Sequence, residues 1–508
     1  MKKIFLPAFV LLRMVSFAQD NNVSGNRNYA SISSGDKEAD IIRKAATVVP
    51  STRQLHWQQL ELTAFFHFGI NSFTNREWGD GKEDISKFNP SLLDAGQWVK
   101  TAKEAGIKQV IVTAKHHDGF CLWPSQYTEH SVKNTPWKNG KGDVVKEVAE
   151  ACKQYGMGFG VYLSPWDRNS PLYGDSEKYN TYFENQLTEL LTRYGKVDEV
   201  WFDGANGEGP NGKKQVYNFN AWYTLIRKLQ PGAIIAIMGP DVRWVGTESG
   251  EGRATEWSVL PVDAQLQDKI AAGSQKDITF APNGNMMEND LGSRDKIINA
   301  KALIWYPAET DVSIRPGWFY HPSENDKVKS PAELMDIYFS SVGRNSVLLL
   351  NIPPDTRGLI NENDVDALRS WKKNIDETFK TNLVKGAAIQ SANGTNTALM
   401  LDGKNDTYWS VTGNDTTATI EFDLKSAKAF DVLLLQENIR IGQRVEKFSL
   451  EYFDNNEWKK ITEGTTVGYK RLLRFPPVTA GKVRLNIESS RLNPTIAEFG
   501  LYKLASGL

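Results

Sequence analysis

One carboxylate of the chain stands where it could do chemistry. Asp203 directly follows an apolar, β-rich run from Val197 to Phe202, and a glycine comes next. In parallel barrels the catalytic groups lie at the carboxyl ends of the strands. An ionised carboxylate after a buried strand needs solvent at the barrel mouth or hydrogen-bond partners. Asp203 is therefore a candidate catalytic residue, with a structural cap as the alternative.

Three of the six histidines lie at the ends of two similar apolar runs. His67 ends the run that begins near Leu62, and His116 and His117 end the run that begins at Gln109. Adjacent side chains on an extended strand point to opposite sides, so His116 and His117 do not easily share a metal ion unless the strand has already ended. We favour hydrogen bonding to a ligand rich in hydroxyl groups, with no metal in the site. Metal binding and burial as satisfied core residues are the alternatives.

The elements that must position these residues alternate between short apolar strands and amphipathic helices. Predicted strands cover 62–69, 108–114, 158–164, 197–203 and 233–239, and predicted helices cover 91–105, 143–155, 179–194 and 218–229. Weaker strands near 254–258, 277–281 and 302–306 precede a helix at 331–342 and a last strand at 346–352. This alternation predicts a parallel α/β sheet, and eight strands favour a (β/α)8 TIM-like barrel over 46–378 rather than an open sheet.

The sequence pattern changes near Asn382. Helical patterns stop, and short alternating segments such as 417–423 and 482–487 are separated by Gly, Asn and Asp turns. We predict an antiparallel β-sandwich domain over 382–508. A chain of 508 residues is long enough to form two such domains.

The net charge and the aromatic content of the chain indicate which classes of ligand or macromolecule it could bind. Lys plus Arg number 60 and Asp plus Glu number 61, so the net charge of -1 gives no electrostatic argument for nucleic acid or an anionic membrane surface. The 15 Trp and 17 Tyr exceed ordinary core needs. Flat aromatic rings of this kind stack on the apolar faces of sugars.

The N-terminus has the pattern of a secretory signal peptide over 1–18. Two lysines precede a short apolar run and small residues, and the run is too short to span a bilayer. No cysteine follows to carry a lipid anchor, so we expect an exported protein, periplasmic or secreted. Residues 19–45 are polar and predict a flexible leader. The two cysteines, Cys121 and Cys152, are expected to be buried and unpaired rather than joined in a disulfide.

Five motifs, in this order, resemble those of the α-L-fucosidases of glycoside hydrolase family 29. They are His67-Phe-Gly, Glu77-Trp78-Gly, Lys115-His-His-Asp-Gly-Phe120, Tyr162-Leu-Ser-Pro-Trp166 and Val200-Trp-Phe-Asp-Gly-Ala205. The resemblance covers about residues 50–375. It implies a retaining two-step hydrolysis with Asp203 as nucleophile and no required cofactor. It also implies a set of residues that line the sugar site: His67, Glu77, Trp78, His116, His117, Trp201 and Trp318.

The acid/base is a second carboxyl, and several glutamates follow Asp203. The segment from Gly239 to Glu248 resembles the one that carries the acid/base in the family branch specific for α-1,3/1,4-linked fucose, so Glu248 is our candidate. Glu256 is interpreted as a sugar- or scaffold-binding carboxylate and Glu288 as a solvated loop residue. The implied substrates are branched, Lewis-type fucosylated oligosaccharides or glycoconjugates. A fucosidase of broad linkage tolerance and an inactive glycan-binding protein are the alternatives.

The C-terminal sandwich resembles discoidin-like (F5/8 type C) carbohydrate-binding modules. The resemblance is carried by Leu401-Asp-Gly-Lys-Asn-Asp-Thr-Tyr-Trp409. In that family the Asp402-Gly region can hold a structural calcium ion through oxygen ligands. An ordinary turn over Asp402 to Asp406 is the alternative. Sugar binding and simple packing against the barrel are both open for this domain.

Overall fold

The computed structural model describes residues 27–209, 211–262 and 288–506. The predicted signal peptide over 1–18 and the predicted strand near 277–281 lie outside these residues. No helix in the described ranges is long and apolar enough to cross a membrane.

The N-terminal part consists of short strands alternating with helices. Its strands are β1 (Tyr29–Ser31), β2 (Leu62–Phe66), β3 (Gln109–Lys115), β4 (Gly158–Leu163), β5 (Glu199–Phe202), β6 (Ile234–Ile237), β7 (Arg243–Trp244), β8 (Val259–Val262), β9 (Ala302–Trp305), β10 (Ala308–Ser313) and β11 (Ser346–Asn351). Its helices are α1 (Glu38–Thr47), α2 (Thr52–Gln58), α3 (Ile70–Thr74), α4 (Ala95–Glu104), α5 (Val144–Tyr155), α6 (Ser176–Arg193), α7 (Phe219–Leu229), α8 (Arg294–Ile297), α9 (Pro331–Ser340) and α10 (Glu362–Phe379).

Eight of these strands form one parallel sheet, in the order β6-β5-β4-β3-β2-β11-β10-β7. The predicted TIM-like barrel is confirmed, and the first five predicted strands correspond to β2 to β6. Side-chain alternation along each strand divides the core into two layers. On β5, Val200 and Phe202 pack outward against the helices, whereas Trp201 belongs to an inner cluster with Phe65 and Tyr162 from neighbouring strands.

Helix ends follow the local sequence. Asp143 caps α5 by accepting a hydrogen bond from the Lys146 amide at 2.9 Å, and Gly156 ends it with φ 67°, a left-handed conformation that favours glycine. The apolar face of α5 buries Cys152, and both Cys121 and Cys152 are buried and unpaired, as predicted.

The second half of the barrel departs from the prediction. Residues 254–258 do not form a strand, and the strand predicted at 302–306 is β9, which lies outside the barrel in a three-stranded sheet with β1 and β8. The barrel uses β10 instead, which pairs in parallel with β11 and β7. The sequence did not indicate β10 because its buried residues include Glu309, Thr310 and Asp311.

The flexible leader predicted over 19–45 is wrong for its second half. β1 pairs with β9, and α1 buries Ile41, Ile42, Ala45 and Ala46. Ile41 joins a small apolar cluster that includes Leu303 of β9 and Tyr469 of the C-terminal domain. The burial of this one apolar helix face outweighs the polar composition of the segment.

The C-terminal domain is an antiparallel β-sandwich, as predicted. Its strands are β12 (Ala388–Ser391), β13 (Gly394–Thr395), β14 (Trp409–Val411), β15 (Ala418–Gln436), β16 (Val445–Asp454), β17 (Glu457–Gly464), β18 (Arg471–Ser490), β19 (Thr495–Ile496) and β20 (Glu498–Tyr502). One sheet runs β12-β15-β18-β16-β17, with β20 on β15, and the other runs β13-β14-β19. A separate apolar core that includes Trp409, Phe422 and Phe499 fills the space between them.

Candidate active site

A cavity of about 230 Å3 opens at the carboxyl ends of the barrel strands. Drug-sized ligands occupy pockets of about 300–1,000 Å3, so this cavity suits one small molecule such as a single sugar ring. Eight of the nine predicted site residues line it: His67, Trp78, His116, His117, Trp201, Asp203, Glu248 and Trp318. Glu77 is not among the lining residues.

Asp203 lies one residue past β5, on the same side as the inward-facing Trp201. Its Oδ1 accepts a hydrogen bond from the Ala205 amide at 2.7 Å, and its Oδ2 accepts one from the Tyr162 hydroxyl at 3.3 Å. His117 Nε2 lies 3.9 Å from the same Oδ2. The Asp203 side chain is 26% exposed. The carboxylate therefore has both the donors and the solvent access that an ionised group at a barrel mouth needs.

The hydrogen bonds of His117 indicate its tautomer. Its Nδ1 is 2.7 Å from Ser164 Oγ, and the Ser164 hydroxyl donates its proton to the Trp166 carbonyl at 2.7 Å. His117 Nδ1 is then the donor to Ser164, and Nε2 faces Asp203 with its lone pair. Burial lowers the pKa of His117, while the negative charge of Asp203 partly opposes that shift. The neutral ring and the carboxylate are thus two acceptors that can share one ligand hydroxyl.

His67 and His116 are neutral for the same reason. Burial lowers the pKa of His67 to about 3 and that of His116 well below its usual range. His67 Nδ1 donates to the Asn351 amide oxygen at 2.9 Å, because the Asn351 amide nitrogen already donates to Ser313 Oγ and to the Trp318 carbonyl. Neutral imidazoles can accept or donate hydrogen bonds to hydroxyl groups without adding charge.

The described ranges hold no group of three or more His, Cys, Asp or Glu side chains arranged to bind a metal ion.

Glu248 lies on a short exposed loop between β7 and Gly250. The Val245 amide donates to the Glu309 carbonyl at 2.8 Å and the Gly250 amide to the Asp311 carbonyl at 3.1 Å, so both ends of the loop are bound to β10. The Glu248 carboxylate accepts a hydrogen bond from Trp318 Nε1 at 3.3 Å. The fold thus brings a second carboxylate to the cavity that contains Asp203.

Glu256 and Glu288, the two glutamates given other roles from the sequence, serve the scaffold. Glu256 is buried and bonds to the guanidinium groups of Arg243 and Arg253. Glu288 forms an ion pair with Lys296 at 2.9 Å. Neither residue lines the cavity.

Glu77 contacts the segment that carries Trp318, and its side chain is 38% exposed. Its carboxylate accepts hydrogen bonds from the backbone amides of Trp318 at 2.8 Å and Phe319 at 3.2 Å, and it lies 2.6 Å from His321 Nε2. These contacts hold the segment that places Trp318 over His67, where the two ring centroids are 5.2 Å apart. In this structure the Glu77 carboxylate positions Trp318, and its contact with the sugar stays a prediction.

Eight residues without a predicted site role also line the cavity, and Phe65, Tyr162, Trp244 and Asp311 are among them. Phe65 makes edge contacts with Tyr162 and Trp201, which form an apolar wall. Alternation along β2 and β4 could have identified Phe65 and Tyr162, because Phe65 lies two residues before His67 and Tyr162 is the next-to-last residue of β4. Asp311 and Trp244 lie on the strands that the sequence did not indicate.

Acidic side chains line the inner wall behind these rings. Asp311 accepts a hydrogen bond from Trp244 Nε1 at 2.7 Å, and Glu309 accepts one from Trp201 Nε1 at 2.6 Å. Burial raises the pKa of both carboxyls well above the usual range, and it raises the pKa of the neighbouring Glu199 to about 8. Asp311 and Glu309 thus hold two cavity-lining indoles in place. Their raised pKa values favour the neutral acid form of both carboxyls.

Comparison with known proteins agrees with this geometry. The α-L-fucosidase family model matches residues 56–375, and the F5/8 type C domain model matches residues 385–499. The chain is 44% identical over 467 residues to Alpha-L-fucosidase 1 of Arabidopsis thaliana, covering 89% of this chain and 87% of the plant protein.

Two solved structures have the same fold over most of the chain. A Ruminococcus gnavus GH29 fucosidase in complex with fucose superposes with a TM-score of 0.80 at 34% identity, covering 90% of this chain and 95% of that one. A glycoside hydrolase 29 family member from an unknown rumen bacterium superposes with a TM-score of 0.76 at 41% identity, covering 91% and 79%. The chain belongs to the α-L-fucosidases of glycoside hydrolase family 29.

Proposed function

We propose that this enzyme is a retaining exo-α-L-fucosidase that removes α-1,3/1,4-linked fucose from branched, Lewis-type glycans. The observation that carries the proposal is one cavity of single-sugar size that contains both Asp203 and Glu248 beside three histidines. The bound fucose named for the Ruminococcus gnavus relative supports fucose as the sugar that occupies it.

In the first step Asp203 attacks the anomeric carbon and the bond to the leaving oxygen breaks. Glu248, as the acid, protonates that oxygen, which leaves a fucosyl ester on Asp203. In the second step Glu248 removes a proton from water, which attacks the same carbon and frees Asp203. The exposed loop of Glu248 suits this role because the leaving sugar must lie on the solvent side.

The neutral histidines suit the ring hydroxyls. His117 Nε2 and Asp203 Oδ2 are both acceptors, so either can accept a hydrogen bond from a ring hydroxyl, and such bonds can strengthen in the transition state. His67 and His116 add two further polar contacts, and Trp201 and Trp318 supply indole surface. The apolar wall at Phe65 suits the C5 methyl of fucose and disfavours the hydroxymethyl of other hexoses by desolvation.

The linkage proposal rests on the region just outside the cavity. Trp78 is 55% exposed and packs edge-on against His117 and Trp166. Gly207, four residues after Asp203, packs closely against Trp166, because a Cβ on Gly207 would lie 2.3 Å from its ring. This surface suits the branching sugar of a Lewis-type glycan.

A fucosylated oligosaccharide panel with free fucose as the readout tests the proposal. Lewis-type trisaccharides should be cleaved with a much higher kcat/KM than α-1,2-fucosyl-lactose, because contacts to the branching sugar act in the transition state. Equal rates would favour broad linkage tolerance. Absence of fucose release from every substrate would favour a glycan-binding protein.

A calcium ion at the sandwich and export from the cytoplasm complete the proposal. Asp402 Oδ2 accepts a hydrogen bond from Thr407 Oγ1 at 2.8 Å, and Glu498 Oε2 accepts one from the Gly403 amide at 3.1 Å. Burial, and the charge of Asp402, raise the pKa of Glu498 to about 7. A cation bound between Asp402 and Glu498 would offset the repulsion that Asp402 exerts on the Glu498 carboxylate, so these two residues would hold it. Export rests on the signal-peptide pattern of residues 1–18.

A further inference from the structure

The C-terminal sandwich hydrogen-bonds the backbone that follows the Glu248 loop. Residues 254–258, here called the clamp segment, have no strand or helix of their own. The fully buried Gln443 of the sandwich donates through Nε2 to the Glu256 carbonyl at 3.0 Å and accepts through Oε1 from the Ser258 amide at 2.7 Å. The side-chain amide of Gln443 thus binds the backbone of two residues, two positions apart, in the way that the backbone of a neighbouring strand would.

Three further sandwich residues add to this attachment, one of them Thr465, whose Oγ1 donates to the Ala254 carbonyl at 3.2 Å. Thr466 Oγ1 accepts from the Glu256 amide at 2.9 Å, and Arg471 donates to the Ala254 carbonyl at 2.7 Å. From the barrel, Asn345 Nδ2 also donates to the Glu256 carbonyl at 3.2 Å, so that carbonyl keeps a partner without Gln443. The amides of Glu256 and Ser258 are bonded to the sandwich, and a buried polar group left without a partner costs about 1–3 kcal/mol, so the sandwich contributes to this conformation of the clamp segment.

The clamp segment reaches the cavity through a buried ion pair. The Glu256 carboxylate bonds to the guanidinium of Arg243, and the side chains of both residues are at most 1% exposed. Arg243 is the first residue of β7 and the next residue is Trp244, which lines the cavity and donates to Asp311. Because the pair is buried, a displaced Glu256 would leave Arg243 as an uncompensated charge behind the cavity wall.

Glu248 lies between these two anchored parts. The loop of Glu248 begins after β7, whose first residue, Arg243, is paired with Glu256. The loop leads into the clamp segment, which is hydrogen-bonded to the sandwich. The Gly252 amide also donates to the Ser340 carbonyl at 2.7 Å, so the backbone between Gly250 and the clamp segment is fixed by a hydrogen bond as well.

We propose that the C-terminal sandwich is a positioning element of the active site: Gln443, Thr466 and Arg471 hold the clamp segment so that Glu256 and Arg243 fix Trp244 and the loop of Glu248. This inference rests on the proposed acid/base role of Glu248. It gives the sandwich a part in catalysis that does not require the domain to bind sugar.

The test compares Gln443→Ala and the milder Thr466→Val with Asn486→Ala in the full-length enzyme. Among the described residues Asn486 bonds only within the sandwich, to Thr419 Oγ1 at 3.0 Å, to Glu451 at 3.0 Å and to Ser449 Oγ at 3.5 Å, so it is the matched control. Displacing a catalytic group by about 1 Å costs about 100-fold in rate, so kcat on a natural fucoside should fall about 10- to 100-fold in Gln443→Ala. Formation of the fucosyl enzyme from a fucoside with a very acidic phenol leaving group should fall less than about threefold, since that step needs little acid catalysis.

Hydrogen–deuterium exchange gives a second readout that does not involve turnover. Amides over 243–258 should exchange faster in Gln443→Ala and Thr466→Val, and Asn486→Ala should match the wild type there. Unchanged exchange over 243–258, or equal rate losses on both substrates, would overturn the positioning role. Glu248→Ala in the same assays separates the two claims. If Glu248→Ala loses no activity on the natural fucoside, the acid/base proposal fails. The positioning role of the sandwich would then stand only if Gln443→Ala still shows both faster exchange over 243–258 and slower turnover.

Discussion

Replacing Glu248 by alanine is expected to remove catalysis while leaving stability intact. Glu248 is exposed, and the one hydrogen bond of its carboxylate in the described structure, from Trp318, is 3.3 Å long. Its loss should change the free energy of unfolding by less than about 0.5 kcal/mol. A general acid contributes about 10²–10⁴-fold, so the barrier for a natural fucoside should rise by about 3–5 kcal/mol.

Glu256→Ala should give the opposite pattern. Removing this buried carboxylate leaves Arg243 unpaired, which is expected to cost about 3–5 kcal/mol of stability. The loss of activity that accompanies it should not follow the pKa of the leaving group as steeply as in Glu248→Ala. The exposed Glu251, which does not line the cavity, is the control, and Glu251→Ala should behave as wild type in both measurements.

The assay measures kcat for a series of aryl fucosides and one natural glycan, together with thermal unfolding. In Glu248→Ala a burst of an acidic phenol should precede slow turnover, because the same carboxylate is missing as base in the second step. Added azide should restore turnover by replacing water as the nucleophile. A wild-type response of Glu248→Ala, with the burst and rescue at Glu256→Ala instead, would refute this assignment.

Three further predictions test other parts of the structure. Asp203→Gly should lose activity by several orders of magnitude without unfolding, and azide should rescue cleavage of an activated fucoside with a β-linked azide as product; an α-linked product would contradict direct attack in the vacated space. Arg315→Met should lower the free energy of unfolding by about 3–5 kcal/mol in denaturant titration, because it leaves Asp364, 2.9 Å from Arg315 Nε, as a buried unpaired carboxylate; a loss under about 1 kcal/mol would contradict this. The pKa of Glu498 is raised to about 7 in the fold, so its contribution to stability is present at acidic pH and lost as the pH rises through 7. Calcium should therefore raise the melting temperature most above that pH, and Asp402→Asn should weaken this effect. A calcium response independent of pH and of Asp402 would argue against a site there.

Sequence reasoning succeeded where apolar periodicity is strong. β2 to β6 are buried strands separated by capped helices, and their ends bring His67, His116, His117 and Asp203 together. It failed at β10, since a strand whose inward residues include Glu309 and Asp311 resembles a loop in any pattern based on hydrophobicity. The buried carboxyls of such a strand are stable only when indole N–H groups and neighbouring carboxyls form hydrogen bonds with them. These partners come from distant parts of the chain, so they depend on the tertiary structure.

The role of Glu77 shows the same limit within the site. Its motif placed it near the cavity, but its partners are amides 241 and 242 residues away in the chain. Alternation within a strand could have predicted Tyr162, whereas no local pattern relates Glu77 to Trp318 or Gln443 to Glu256. These contacts arise only when the barrel and the sandwich are assembled.

Trapping the covalent intermediate tests the central claim most directly. The intact enzyme would be incubated with a 2-deoxy-2-fluoro-α-L-fucosyl fluoride, which slows both steps but slows the second more, and then digested for peptide mass spectrometry. We expect time-dependent inactivation and one fluorofucosyl group, on the peptide that contains Asp203 and at that residue. An adduct on another residue, or inversion of the anomeric configuration in the product of normal turnover, would contradict it.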